Sequence, residues 1–395
     1  MKVALVYDRV NKIGGAERVL LALHEIWPEA PLFTSVYNFQ TAPWAEKFKV
    51  IPSFLQYFPF SQRHHEFYAP LMPMAFESFN FEEYDVVISV SSEAAKGIIT
   101  KPKTLHLCYC LTPTRYLWSG YLEYFDTEPK RRLSRYLIAY LRIWDKTACQ
   151  RPDDYLAISK TVQSRIKNYY HRESGVIYPP VDTEKFEIRN SKSLPEMLRI
   201  SKQAGETSPK YKIQNTKYFL VVSRLVKYKK VDLVIEVFNK LGWNLKIVGI
   251  GRELGALTRL RDSFGEAKKD NIEFLGQLTD MELLFYYQNC QAVIFPQEED
   301  FGIVAVEAQA CGKPVIAYKK GGSTETVAEG KTGLFFTEQT TEALEAKIQS
   351  FKAAEYKAED CRRQAEKFSK EKFEKEFKKF VTERWQNHLK NISTP

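Results

Sequence analysis

Short, nearly continuous apolar runs alternate along the chain with segments whose apolar residues recur every three or four positions. The alternation happens twice. In the first stretch the runs are VALVY (3–7), PLFTSVY (31–37), VVISVS (86–91), LHLCYC (105–110) and DYLAIS (154–159). A Gly-Gly loop and the helix-spaced AERVLLALHEIW follow the first of them. In the second stretch the runs are KYFLVVSRL (217–225), LKIVGIG (245–251), IEFLGQL (272–278), AVIFP (292–296), PVIAY (314–318) and GLFF (333–336). Helix-spaced segments such as VDLVIEVFNKL lie between them. Strands that are apolar on both faces and separated by helices predict parallel sheets covered on both sides. The repetition predicts an α/β chain with two Rossmann-like domains.

The polar positions set the boundaries. Residues 187–216 are polar and carry no sustained core pattern, so they are expected to form a linker or surface insertion, with one helical turn around 195–200. The predicted organisation is a first domain over 1–186, this linker over 187–216, a second domain over 217–370 and a terminal helix over 371–395. That helix follows from FSKEKFEKEFKKFVTERW, which places aromatics at helical spacing among Lys and Glu and so predicts one buried stripe. Open α/β sheets bind ligands at the carboxyl ends of their strands. Two such domains facing each other would hold a ligand in the cleft between them.

Bulk properties narrow this picture only a little. The chain has 395 residues, room for two or three domains of about 150 residues each. No run of about 18 uncharged apolar residues is present, which argues against a membrane-spanning helix. The opening MKVALVYDRVNKIGG predicts a core strand rather than a secretion signal, and with it a cytoplasmic protein. The six cysteines are scattered without metal spacing and are expected to be reduced core thiols. A net charge of +9 favours an anionic partner, a phosphate-bearing substrate or an acidic membrane surface. No nucleic-acid-binding signature accompanies that charge.

The sharpest chemical pattern is EDFGIVAVE at 299–307. Phe295-Pro296 ends an apolar strand, Gln297 to Gly302 reads as a loop, and Ile303 to Ala310 as a helix stopped by Gly312. The first N–H groups of such a helix lack intrahelical partners and, with the helix dipole, form an anion site. Glu299 lies in the loop, and Glu307 shares a helix face with Ile303 and Val304. Two carboxylates flanking an anion site suit a ligand with hydroxyls on both sides of a phosphate, as in a nucleotide sugar. On spacing alone, Glu307 is equally readable as a solvated helix residue and Glu299 as an N-cap helper.

The whole segment EDFGIVAVEAQACGKPVIAYKKGGSTETV resembles the donor-site signature of glycosyltransferase family 4, retaining enzymes of the GT-B fold. SRLVKYKK (223–230) resembles the family's Gly-Arg-Leu-x3-Lys-Gly stretch, with Ser223 and Lys230 in place of the usual glycines. GGAERVL, IVGIG, FLGQL and YPPVDTEKF fall in the family's order, and YCLTPTRYLW and SSEAAKGI resemble its bacterial surface-polysaccharide branch, many of whose members transfer mannose. The resemblance runs from residue 1 to about 385, with 187–216 as the exception.

It implies two facing domains with the terminal helix packed back on the first. It implies that Arg224 and Lys229 grip the diphosphate, Glu299 holds hydroxyls of the transferred sugar and Glu307 those of the ribose. Gly302, Ile303 and Val304 would meet sugar and phosphate through their backbone, Gly15 would admit the diphosphate, and Leu278 would meet the base. Arg224, Lys229 and Glu299 are the expected catalytic set. No cofactor or metal is expected; the donor, GDP-mannose by this resemblance, is a co-substrate, and a UDP-sugar is the alternative. The acceptor is expected to be a saccharide or lipid-linked saccharide, and a nucleotide-sugar-binding relative without activity is a further reading.

One departure concerns the acceptor. The family stretch matched by YCLTPTRYLW has His before Thr-Pro, and here that position is Leu111. Leu111, Thr112 and Arg115 are the acceptor-side candidates. His106 lies five residues before Leu111, an odd strand offset that puts it on the opposite face and predicts a core residue. GIGRELG (249–255) imitates a dinucleotide fingerprint but is weak evidence alone. Gly321-Gly322 reads as a turn leading into a helix near the sugar site. FLQYFPFSQRHHEFYAPLMPMAF (54–76) interleaves aromatics with Arg63, His64 and His65, and reads equally as packed core or as a lip on the inner face of an anionic membrane.

Overall fold

The computed structural model describes residues 1–12, 14–186, 217–263 and 271–393. The expected linker over 187–216, with its helical turn around 195–200, lies outside the described residues. The chain divides into two compact units, Met1–Pro180 with Lys370–Pro395, and Val181–Ser369.

The first unit holds seven parallel strands: β1 (Val3–Tyr7), β2 (Leu32–Thr34), β3 (Val50–Pro52), β4 (Val86–Ser91), β5 (Leu105–Cys110), β6 (Asp154–Ala157) and β7 (Gly175–Val176). Their order is β3-β2-β1-β4-β5-β6-β7. Strands β1, β4 and β5 are buried at every position, which is why they read as unbroken apolar runs. The run PLFTSVY shortens to Leu32–Thr34, and β3 and β7 were not anticipated, being three and two residues long.

The second unit holds β8 (Phe219–Val222), β9 (Leu245–Val248), β10 (Ile272–Gly276), β11 (Val293–Phe295), β12 (Val315–Tyr318) and β13 (Gly333–Phe336), all parallel, in the order β10-β9-β8-β11-β12-β13. Each of the six coincides with a run read from the sequence. In both sheets the chain starts in the middle, winds one way and then the other. The direction reverses between β1 and β4, and between β8 and β11. Parallel sheets of this kind open a ligand crevice at such a switch point.

One boundary differs from the sequence reading. The segment 181–186 belongs with the second unit rather than the first: Val181 donates its N–H to the Phe368 carbonyl (3.0 Å) and Phe186 packs edge-on against Tyr287 (5.9 Å). The break therefore falls at Pro179-Pro180, before Val181. At the other end, the helix Lys370–Ser393 belongs to the first unit, as the resemblance implied. Its buried stripe is Phe373, Phe377 and Val381. Phe373 and Phe377 lie 5.9 and 5.4 Å from the Tyr109 ring of β5, and Phe377 also meets Trp27 at 6.2 Å. Lys370 pairs with Glu25 at 2.6 Å at the start of that contact.

Candidate functional site

The helix predicted over 303–310 is observed over Ile303–Ala310. Gly302 precedes it with φ of 91°, and Cys311-Gly312 ends it. Gly312 donates to the Gln309 carbonyl (2.8 Å) and Lys313 to that of Ala308 (2.9 Å), the paired bonds of a Schellman stop. Both ends of this helix are thus set by glycines at the places the chain order required.

Strand β8 delivers the loop with Ser223 and Arg224 and then a short turn, Lys227–Lys229. Strand β11 delivers the loop with Glu299 and the helix start. The two loops meet: Lys229 forms an ion pair with Glu299, their side chains 10% and 21% exposed. The sequence reading gave these residues separate parts of a ligand; in the structure they are each other's partners. Arg224 is exposed and its guanidinium donates to the Tyr228 hydroxyl at 3.0 Å. Tyr228 escaped notice in the sequence, although it sits four residues after Arg224.

Glycines elsewhere let these loops approach. Gly249 and Gly251, part of the apparent dinucleotide fingerprint, lie against the Arg224 loop. A Cβ at Gly249 would stand 1.8 Å from the Ser223 carbonyl oxygen, and one at Gly251 2.2 Å from that of Leu225. Their role is to support Arg224 from behind, and Leu225 and Glu253 complete the seam by backbone bonds to Ile250 and Leu225. Gly321 and Gly322 do the same for Glu299. Gly322 donates to the Glu299 carbonyl at 2.8 Å, and a Cβ at Gly321 would stand 2.3 Å from that oxygen. The four-residue helix Ser323–Thr326 follows directly, so this turn and helix do border the Glu299 loop.

Glu307 is 3% exposed and accepts a hydrogen bond from the Tyr287 hydroxyl at 3.0 Å. The reading of Glu307 as a solvated helix residue is therefore excluded. Tyr287 lies on the helix Asp280–Asn289, twenty residues upstream, where nothing in the local pattern announced the contact. Ile303 and Val304 are half-buried at the helix start. Leu278 is half-buried in the loop after β10, joined to the Gly249 loop by the bond from Gly249 N–H to the Gly276 carbonyl (2.7 Å).

The first unit carries the other candidates. Gly15 is the first residue of the helix Gly15–Ile26 and is exposed. Leu111 is half-buried and donates its N–H to the Ser91 carbonyl at 2.8 Å. Thr112 is buried with its hydroxyl at 3.3 Å from the Pro113 carbonyl oxygen. Arg115 pairs with Glu123 at 3.7 Å. His106 is buried, its Nε2 2.9 Å from the Ser89 hydroxyl, which fits the core role its strand offset predicted. Burial, then the charges of Arg151 and Arg172, push its pKa down to about 3.

Two charged groups near the β1–β4 switch point had no signal in the sequence. Asp8 is buried and accepts from the N–H groups of Ser92 (2.6 Å), Glu93 (3.0 Å) and Ala95 (2.8 Å) and from the Ser92 hydroxyl (3.0 Å). Burial, reinforced by Glu93, raises its pKa against those hydrogen bonds. Lys96 and Asp145 form a 2.6 Å ion pair with side chains 2% and 1% exposed. Asp145 also accepts from the Thr114 hydroxyl (3.0 Å) and the Trp118 ring N–H (2.8 Å), which anchors the loop of the acceptor candidates. Burial works against the charge on Lys96, but Asp145 outweighs it and the pKa is raised.

Residues 204–368 match the family described as Glycosyl transferases group 1. That match covers most of the second unit. The chain is similar to alpha-1,3/1,6-mannosyltransferase ALG2 of Dictyostelium discoideum, 27% identical over 65% of this chain and 64% of that protein. It is also similar to a GDP-mannose-dependent alpha-(1-6)-phosphatidylinositol monomannoside mannosyltransferase of Mycobacterium tuberculosis, 29% identical over 45% of this chain and 46% of that protein. The match spans between 28% and 64% of the length of such curated relatives. Among solved structures, that of Anabaena HepE with UDP superposes with a TM-score of 0.69, covering 97% of this chain and 100% of that one at 19% identity. That likeness establishes the GT-B type of fold, two parallel-sheet Rossmann-like domains. No described helix is long and apolar enough to cross a membrane.

Proposed function

We propose that the protein is a retaining hexosyltransferase that moves mannose from GDP-mannose onto a saccharide or lipid-linked saccharide. One observation carries the reading. At the β8–β11 switch point the Lys229–Glu299 pair joins the loop that carries the exposed Arg224 to the loop that leads into the helix Ile303–Ala310. The donor's diphosphate would take Lys229 and Arg224 as counter-charges. Lys229 then leaves Glu299, whose carboxylate accepts hydrogen bonds from the sugar hydroxyls. Glu307, held by Tyr287, would receive the ribose hydroxyls.

In the transfer step the bond between the anomeric carbon and the phosphate oxygen breaks, and the acceptor oxygen bonds to that carbon from the same face. The acceptor's proton passes to the departing phosphate oxygen. Arg224 and Lys229 stabilise the negative charge that grows on the leaving diphosphate, so their contribution is electrostatic. The reading assigns this charge neutralisation to the two cations, with no metal and no protein nucleophile. The acceptor is assigned to the first unit's loops after β5, where Leu111, Thr112 and Arg115 lie, and the inner membrane face is the proposed place of work. The mannosyltransferase relatives support the choice of donor.

The test is donor turnover followed by NMR with a panel of free and lipid-linked saccharides. The expected result is consumption of GDP-mannose and a product that keeps the donor's anomeric configuration. Turnover of UDP-glucose in place of GDP-mannose would move the donor assignment to uridine. An inverted linkage would overturn the same-face step.

A further inference from the structure

The helix Glu128–Ala148 has two apolar stripes where a surface helix of a globular domain needs one. The inner stripe, Ile138, Leu141 and Ala148, is buried against the first unit, with Leu117 and Trp118 in its cluster. The outer stripe is Leu133, Tyr136, Leu137, Tyr140 and Ile143, 88%, 83%, 36%, 50% and 71% exposed. At roughly 100° per residue these five fall within one arc of about 120°, beside the inner stripe, which it meets at Leu137. Leu122 and Tyr124, just before the helix, are 68% and 57% exposed and extend the same apolar character. Single exposed apolar side chains are ordinary, but an aligned row of this length marks an interaction surface.

Charge decides what covers it. The helix sequence carries six cations, Lys130, Arg131, Arg132, Arg135, Arg142 and Lys146, against two acids. Neither acid opposes an outside partner: Asp145 is buried on Lys96, and Glu128 is occupied by Arg131 at 2.9 Å. Arg132, Arg135 and Lys146 flank the outer stripe on one side. A second copy of the helix would bring like charges together. An aromatic and aliphatic row edged by cations, on a chain of net charge +9, matches a surface that is apolar below and anionic above.

We infer that the outer face of the helix Glu128–Ala148 docks the protein onto an anionic lipid bilayer, with Leu133, Tyr136, Tyr140 and Ile143 in the headgroup–acyl boundary and Arg132 and Arg135 on the lipid phosphates. The tyrosines suit that boundary because each has an apolar ring and a polar tip. The inference places the membrane contact on a different element from the 54–76 segment, in which Leu55, His65, Met72, Ala75 and Phe76 are buried while Tyr57, Phe60, Phe67 and Met74 are exposed. It does not depend on the identity of the donor.

The experiment is co-sedimentation of the full chain with vesicles of phosphatidylcholine, with and without phosphatidylglycerol. Three proteins are compared: the wild type, the triple variant Leu133→Ser, Tyr136→Ser, Tyr140→Ser, and the double variant Arg132→Gln, Arg135→Gln. All the substituted side chains are exposed, so unchanged thermal unfolding certifies the fold. The wild type is expected to bind the phosphatidylglycerol vesicles and not the neutral ones. Loss of the stripe should weaken binding on the order of a hundredfold, and loss of the two cations roughly thirtyfold. Wild-type binding to neutral vesicles with equal affinity would overturn the inference. So would a triple variant that binds as tightly as the wild type, or a concentration-dependent dimer that the triple variant dissolves while vesicle binding persists.

Discussion

The two switch points hold their charges differently, although each carries a partly exposed ion pair, Arg9 with Glu93 in the first (15% and 25% exposed) and Lys229 with Glu299 in the second (10% and 21%). At the β1–β4 crossing of the first unit, Asp8 is enclosed by four hydrogen bonds and Lys96 with Asp145 is sealed from water. At the β8–β11 crossing of the second unit, Arg224 is exposed, and the Lys229–Glu299 pair keeps part of its surface open. The topology is the same, and so is the place where a ligand crevice forms. Buried charges with every lone pair committed hold loops in place, because exposing or orphaning them is expensive. Charges that reach solvent, such as Arg224, are accessible to a ligand. The comparison separates scaffold from candidate chemistry more sharply than residue type does, since Lys and an acidic partner appear at both sites.

The largest effect should come from breaking the sealed pair. Lys96→Met leaves Asp145 buried without its cation and is expected to cost about 3–5 kcal/mol of stability. Denaturant unfolding measures it, and the folded fraction should bind nucleotide as before. Glu299→Ala tests the open site. Its fold and nucleotide affinity should survive while transfer falls by roughly a hundred- to a thousandfold, measured as initial rate at saturating donor. Unchanged turnover would remove Glu299 from the chemistry.

Lys229→Met completes the contrast with Lys96→Met. The same exchange at this less enclosed pair should cost less stability than at Lys96, because Glu299 keeps part of its surface in water. It should weaken nucleoside diphosphate binding by about 1.5–3 kcal/mol, the range for a hydrogen bond to a charged group. A stability loss as large as that of Lys96→Met would erase the distinction between the two regions.

A further effect is pH-dependent and is absent at neutral pH. His106 is buried in its neutral form with its pKa lowered from 6.5 to about 3. Below pH 6.5 the unfolded chain binds a proton there that the folded chain refuses. Stability should therefore fall as pH drops from 6.5 toward 3, by at most about 1.4 kcal/mol per pH unit from this group. His106→Asn should flatten that slope in urea titrations across pH 4 to 7, whereas substitutions at the open site should leave it in place.

Much of this arrangement was legible in the sequence for identifiable reasons. Five of the six strands of the second unit are mostly buried and appear as apolar runs, and only the edge strand β10 is largely open. The helix Ile303–Ala310 was readable because Gly302 and Gly312 bracket it. The terminal helix was readable because Phe373, Phe377 and Val381 recur every four residues. Strands β3 and β7 were not, because three and two residues carry no periodicity. The bonds from Lys96 to Asp145 and from Tyr287 to Glu307 join positions 49 and 20 residues apart, beyond any local pattern. The glycines at 249 and 251 looked like a nucleotide fingerprint because close backbone approach needs glycine whether a phosphate or another loop is the neighbour.

The central claim is that the open switch point binds a nucleoside diphosphate through Arg224 and Lys229. Thermal unfolding of the wild type with GDP, UDP, ADP and NAD tests it most directly, because a ligand that binds only the folded chain raises its stability. The account predicts a rise in Tm with GDP that is diminished in Lys229→Met and retained in Glu299→Ala. No shift with any nucleoside diphosphate would contradict it.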